Sequence, residues 1–150
     1  MIKIIRIEKS NEMFNDAVNF FWKQWGNNEN RHFYEDCMKH ADSKDVPLFY
    51  IAIHNEDIVG SYAILRTDLV SRQDLIPWFA CLYVSPTYRG KNIGQKLLEH
   101  GKLQAKKIGY QKLYLSTNLE HYYERYGWRH TNNTCSIDGT MLKVYEHEIK

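Results

Sequence analysis

Trp78-Phe79-Ala80-Cys81-Leu82-Tyr83-Val84 runs into Ser85-Pro86-Thr87-Tyr88 and then Arg89-Gly90-Lys91-Asn92-Ile93-Gly94-Gln95-Lys96-Leu97-Leu98, and this stretch decides the fold. Its first seven residues are apolar at nearly every position, which reads as a strand buried on both faces. Ser85-Pro86 ends the strand. Ile93, Leu97, Gly101, Ala105 and Ile108 then recur at helical spacing, and Gly109 closes the helix. Leu113-Tyr114-Leu115 is a further strand. A strand, a glycine-bearing turn, a helix and a strand in that order make a β-α-β unit.

Upstream, Ile2-Lys3-Ile4-Ile5-Arg6-Ile7 is rich in β-branched residues and reads as an opening strand. Ser10 can cap a helix that carries Glu12 in its first turn, then Phe14, Ala17, Val18, Phe21, Trp22 and Trp25, and stops at Gly26. Phe33, Cys37 and Ala41 suggest a second short helix ending before Pro47. Leu48–His54 and Ile58–Leu65 flank the turn signal Asn55-Glu56-Asp57 and read as a hairpin. Downstream, the pattern predicts a short helix from Asn118 to Tyr126 with Gly127 as its exit, and strands near Trp128–Asn132 and Met141–Glu146. The class is mixed α/β, with a central, mostly antiparallel sheet flanked by about four helices. Gly101 in mid-helix costs about 1 kcal/mol against alanine, which points to close packing of that helix on the sheet.

The 150 residues make one domain, 1–150, large enough to bury a core without a metal or disulfide staple. Twenty Lys+Arg against eighteen Asp+Glu leave a formal charge of +2, spread along the chain. Nucleic-acid binding, which wants a concentrated basic face, is disfavoured. Three cysteines, Cys37, Cys81 and Cys135, with no C-x-x-C pairing argue for a reducing cytoplasm. Lys3, Arg6, Glu8 and Lys9 break any apolar run at the start. The longest apolar stretch, Leu75 to Val84, falls far short of the ~20 residues a membrane span needs. His32, Cys37 and His40 share a short helix with no fourth ligand, so no metal is expected.

A glycine-bearing turn at a helix start is an anion site by construction. The first N–H groups of a helix have no intrahelical partner, and its dipole adds partial positive charge. Arg89 and Lys91 add full charges there. A Walker loop is excluded because Asn92 follows Gly90-Lys91, and a dinucleotide fingerprint because the glycines stand at 90 and 94 only.

The stretch from Leu82 to Leu98 resembles the central motif of the GCN5-related N-acetyltransferase (GNAT) family, whose acyl-CoA loop reads Gln/Arg-x-x-Gly-x-Gly/Ala. Here that loop is Arg89, Gly90, Lys91, Asn92, Ile93 and Gly94. A second stretch, Tyr122-Tyr123-Glu124-Arg125-Tyr126-Gly127-Trp128, is similar to the family's Phe-Tyr-Glu-Lys-x-Gly-Phe signature. The resemblance is sharp from about Trp78 to Trp128 and architectural outside it. It implies a GNAT-like acyl-CoA N-acyltransferase fold and acetyl transfer from acetyl-CoA to a primary amine. The pyrophosphate would lie against Arg89, Gly90, Lys91, Asn92, Ile93, Gly94 and Gln95, and the pantetheine arm against Leu82, Tyr83 and Val84. Asn92 replaces the family's middle glycine. Asparagine tolerates positive φ best among the other residues, so the turn survives with weakened binding.

The chemistry sets further demands. An alkylammonium has a pKa near 10.4, so the site must remove a proton before the nitrogen can attack. Tyr123 matches the family tyrosine that protonates the leaving thiolate, although Tyr122, Tyr123 and Tyr126 also read as a plain aromatic wall. Asn118 could bond the pantetheine amides or cap the helix after it. The strand Leu75 to Val84 holds no carboxylate to act as base. Asp68 and Asp74 in the preceding loop are the nearest, and deprotonation through water needs neither. Asp68, Arg72 and Trp78 also resemble the acceptor-side loop of small bacterial members. The implied partner is a small-molecule or peptide amine, and an exposed strand edge near the C-terminus could pair two chains. A non-catalytic acyl-CoA-binding sensor is the alternative reading.

Overall fold

The computed structural model describes residues 1–42 and 44–150. In chain order the elements are β1 (Lys3–Arg6), α1 (Phe14–Trp25), α2 (Arg31–Lys39), β2 (Leu48–His54), β3 (Asp57–Leu65), β4 (Trp78–Val84), α3 (Ile93–Lys107), β5 (Lys112–Thr117), β6 (Arg129–Cys135) and β7 (Met141–Glu148). The seven strands form one sheet in the order β1-β2-β3-β4-β5-β7-β6. Every neighbouring pair is antiparallel except β4 and β5, which run parallel on either side of α3 as the β-α-β unit requires.

Both faces of the central strands are buried, and their alternation divides the core in two. Tyr50 and Tyr62 of β2 and β3 point to the layer of α3, where they meet Leu97, Leu98 and Ala105. Phe49, Ile51 and Ala63 point the other way, against Phe14, Val18 and Phe21 of α1 and Met38 of α2. The α3 side is built on a stack of rings. Tyr50 and Tyr62 stand 4.8 Å apart, Tyr62 and Phe79 4.9 Å apart, each pair within 10° of parallel. Gly101 lies over that stack. A Cβ there would come within 2.6 Å of the Phe79 ring, so α3 approaches the sheet as closely as a bare backbone allows.

Two local readings of the sequence give way. Helix α1 starts at Phe14, with Met13 as its cap, and Ser10 makes no cap. Asn11 closes a local turn instead, its Oδ1 accepting the Met13 N–H at 2.8 Å, and the helix starts three residues later than a Ser10 cap would place it. Residues 118–126 form no α-helix; one 3-10 turn, Glu124–Tyr126, stands there. His121 at φ 63° is incompatible with a helix running through it. The segment follows the rings of Tyr122 and Tyr123 into the core instead. The described residues therefore carry three α-helices and two 3-10 turns, including Pro86–Tyr88, where about four helices were expected. Among the described residues no helix is long and apolar enough to cross a membrane.

Candidate active site

Strand β4 leaves its parallel neighbour almost at once. Trp78 pairs with Tyr114 of β5, the Tyr114 N–H donates to the Pro77 carbonyl at 3.0 Å, and the ladder stops there. Toward Val84 the two strands diverge and open a fork in the middle of the sheet. On its other side β4 stays paired with β3, but two of its residues, Cys81 and Leu82, stand opposite Tyr62 alone. This is a β-bulge, and Cys81 takes the left-handed conformation at φ 58° to make it. The fully buried Ser61 hydroxyl holds the bulge by donating to the Cys81 carbonyl at 3.0 Å. Beyond the bulge, Leu82 and Val84 face the α3 layer while Cys81 faces α1 and α2.

The loop after β4 has the glycine-bearing, left-handed backbone that the sequence predicts before a helix start. Gly90 has φ +80° and Asn92 φ 62°, so asparagine does occupy the left-handed position where the family motif has glycine. It is the residue before α3, and its side chain makes no capping bond. Among the described residues, the first backbone hydrogen bond into this helix runs from the Lys96 N–H to the Asn92 carbonyl at 3.1 Å. The N–H groups of Ile93, Gly94 and Gln95 therefore stand free at the positive end of the helix dipole. Arg89 folds back, its Nε donating to the Val84 carbonyl at 2.9 Å with its guanidinium 5.4 Å from the centre of the Tyr83 ring.

A cleft of about 630 Å³ runs from this loop into the fork. It is lined by Leu82, Tyr83, Val84, Arg89, Gly90, Asn92, Ile93, Gly94, Gln95 and Tyr123, ten of the residues that the sequence marks for the site. The Lys91 side chain lies over the Tyr88 ring at 5.1 Å and stays outside the lining. Asn118 is exposed in the bend after β5, also outside the lining, with no helix following for it to cap. Tyr88, Leu119, Tyr122, Arg125 and Tyr126 join the cleft without having been singled out as binding residues. Their signal was the aromatic run itself, since Tyr122 lies 5.6 Å from Tyr126 and Arg125 lies over both rings, at 4.5 and 5.2 Å.

Tyr123 is both wall and candidate acid. Its ring is wedged between Tyr122 (4.9 Å), Tyr145 (6.0 Å) and Trp128 (6.3 Å). Its carbonyl accepts from the Tyr126 and Trp128 N–H groups, which fixes the turn. The next residue, Glu124, takes the Tyr145 hydroxyl at 2.8 Å. Burial, with Tyr122 beside it, pushes the Tyr123 phenol up to about 12, so it carries its proton throughout the neutral range.

The two loop carboxylates separate cleanly. Asp74 is exposed and locked to Arg72 through two bonds of 2.9 and 2.8 Å, which hold it below the usual carboxylate range. Asp68 belongs to no ion pair among the described residues. Burial raises its pKa, with the Leu69 N–H (2.8 Å) and the Ser116 hydroxyl pulling the other way. Its neighbours are Ser116 on β5 and the Cys81 thiol on β4, which places Asp68 at the fork.

The cleft can be tested for fit to an acyl-CoA. Free N–H groups at a dipole's positive end suit a pyrophosphate, and a strand edge without a partner suits the amides of a pantetheine arm. These residues fit the group. A nucleotide-thioester site opening into a split sheet defines an acyl-CoA-dependent transferase. The acetyltransferase (GNAT) domain profile matches residues 45–130, more than half of the chain. The chain belongs to the GNAT family of acetyl-CoA-dependent acetyltransferases.

A comparison with curated protein sequences finds no match. Solved structures share the fold. A GNAT-family acetyltransferase from Staphylococcus aureus has 21% identity and a TM-score of 0.69 with all of both chains covered. An aminoglycoside 6'-N-acetyltransferase in complex with coenzyme A has 14% identity and a TM-score of 0.75 over 99% of this chain and 97% of that one. A GNAT-family acetyltransferase from Elizabethkingia anophelis with acetyl-CoA bound has 19% identity and a TM-score of 0.68 over 98% and 97%.

Proposed function

We propose that this protein transfers the acetyl group of acetyl-CoA to a primary amine by direct attack on the thioester. The observation that carries the reading is the fork between β4 and β5, with free helix N–H groups and Tyr123 along the cleft that runs into it and a half-buried carboxyl, Asp68, beside it. Two of the structural neighbours support it, one holding coenzyme A and named for N-acetylation, the other holding acetyl-CoA. Residues 1–150 would act as a single domain, in the cytoplasm that three unpaired cysteines suit.

Acetyl-CoA supplies an activated acyl carbon: the amine nitrogen bonds to it, the carbon–sulfur bond breaks, and the products are an amide and a free thiol. Asp68 receives the proton from the ammonium, directly or through one water, and its raised pKa makes it a stronger base than an exposed aspartate. A backbone N–H of the Leu82–Val84 segment, on the edge that β5 leaves unpaired, stabilises the oxyanion. The Tyr123 hydroxyl holds a proton where the sulfur leaves. The loop 89–95 anchors the far end, so that binding energy spent there positions the acyl group.

Thermal unfolding with and without acetyl-CoA, followed by thiol release with an amine panel, tests the reading. At a hundred times its dissociation constant the co-substrate stabilises the fold by about 2.7 kcal/mol. For a domain of this size the expected rise is about 5–10 °C. No rise at millimolar acetyl-CoA overturns the reading. A rise without thiol release from any amine leaves a sensor in place of an enzyme.

A further inference from the structure

The bulge that opens the fork also sorts β4's side chains. Cys81 and Tyr83 are turned from the α3 face toward α1 and α2. There the Tyr83 ring meets Phe20 edge-on at 5.8 Å and Trp25 at 6.3 Å, both from α1. Tyr34 of α2 packs into the same layer. These rings are incompletely covered, and Trp25 keeps 39% of its surface exposed. Aromatic surface left open beside a reaction cleft is a binding wall.

A carboxylate stands at the fork end of the wall. Asp68 lies near the Cys81 thiol, which packs into the same α1–α2 layer and which burial, and then the Asp68 carboxylate, keep protonated. On α2 and in the loop before β4, Glu35 is paired with Arg31 at 3.2 Å, Asp36 faces His40 at 3.5 Å and Asp74 is held by Arg72 at 2.8 Å. A carboxylate at the end of an aromatic wall recognises an ammonium carried on an apolar body. A hydroxyl-rich polycation would set several charges and donors against rings that cannot satisfy them.

We infer that the acceptor is an arylalkyl or similarly apolar primary amine, its ammonium at Asp68 and its body along Tyr83, Trp25 and Phe20. The inference rests on the amine-acetylation reading and adds the substrate class to it.

The test compares initial rates of thiol release for 2-phenylethylamine, tyramine, ethylamine, glycine and kanamycin at saturating acetyl-CoA. The aryl amines should exceed the other three in kcat/KM by about tenfold or more, the order expected from one or two ring contacts. Trp25→Ala should raise KM for 2-phenylethylamine about tenfold more than for ethylamine, and Trp25→Phe should restore most of the difference. Faster turnover of kanamycin or glycine overturns the substrate class while leaving acetyl transfer intact, and so does a Trp25→Ala variant that moves both amines equally. Absence of turnover with every amine also overturns it. The shift in melting temperature with acetyl-CoA, measured on the same preparation, then decides separately whether the co-substrate reading falls with it.

Discussion

Asp68 and Tyr123 are proposed for opposite proton transfers, and burial raises both pKa values. For the phenol this holds the proton ready for the thiolate. For the carboxyl it strengthens the base at a cost in stability, because the folded state binds the Asp68 proton more readily than the unfolded chain does. That cost is absent well below the ordinary carboxylate value, grows as pH rises through the raised one, and is complete at neutral pH. Asp68→Asn should therefore raise the melting temperature near pH 7, with the gain over wild type vanishing toward pH 3. The same change should lower kcat about 10²-fold or more and remove the acidic limb of the pH–rate profile. A variant of lowered stability and full activity would take Asp68 out of the mechanism. Tyr123→Phe should lower kcat about 10²-fold with the acetyl-CoA dissociation constant unchanged, as isothermal titration would show. Equal weakening of binding and turnover would make Tyr123 wall alone.

At the scale of elements, α3 is placed by the absence of a side chain. Replacing Gly101 by alanine improves helix propensity by about 1 kcal/mol. The new methyl would however meet a Phe79 ring held between Tyr62 and Trp128. Overpacking of this kind costs about 1–3 kcal/mol and should win. Gly101→Ala is expected to lower the melting temperature by about 2–6 °C in a thermal scan. An increase would mean that the ring stack yields. The position of α3 matters beyond stability, since its first turn carries the free N–H groups that face the cleft. The opposite lesson comes from residues 118–126, where local pattern predicted a helix and ring packing imposed an irregular turn. That turn brings Tyr123 against Trp128 and Tyr145 and places it in the cleft.

For the whole molecule, the sheet is a frame opened at one place, the fork between β4 and β5. Of the six neighbouring strand pairs, β4 and β5 alone stop after a single register pair, while the other five continue, three of them through a register shift. Backbone amides that lack partners in the free protein should gain protection when a ligand occupies them. Hydrogen exchange with acetyl-CoA should slow in residues 82–95 and remain unchanged in the β2–β3 hairpin. Uniform slowing across the sheet would indicate global stabilisation alone, without the local contacts that the cleft is proposed to make.

The sequence by itself determined the β-α-β unit, the loop at Arg89–Gly94, the left-handed asparagine at its centre and the tyrosine of the second signature. Each of these rests on spacing within about a dozen residues, the range over which hydrophobic period, glycine placement and helix-end chemistry act. The hairpin at Asn55 and Glu56 was legible for the same reason. Only the tertiary structure decided which loop carboxylate faces the fork. Asp68 and Asp74 look alike along the chain, and they part because Arg72 takes one while the other lies half-buried near Ser116 of β5 and Cys81 of β4. It also decided that β4 separates from β5 after one pair, and that Ser61 holds the bulge which divides Leu82 from Cys81. Burial and charge partnership belong to residues brought together from distant parts of the chain, and no local pattern encodes them.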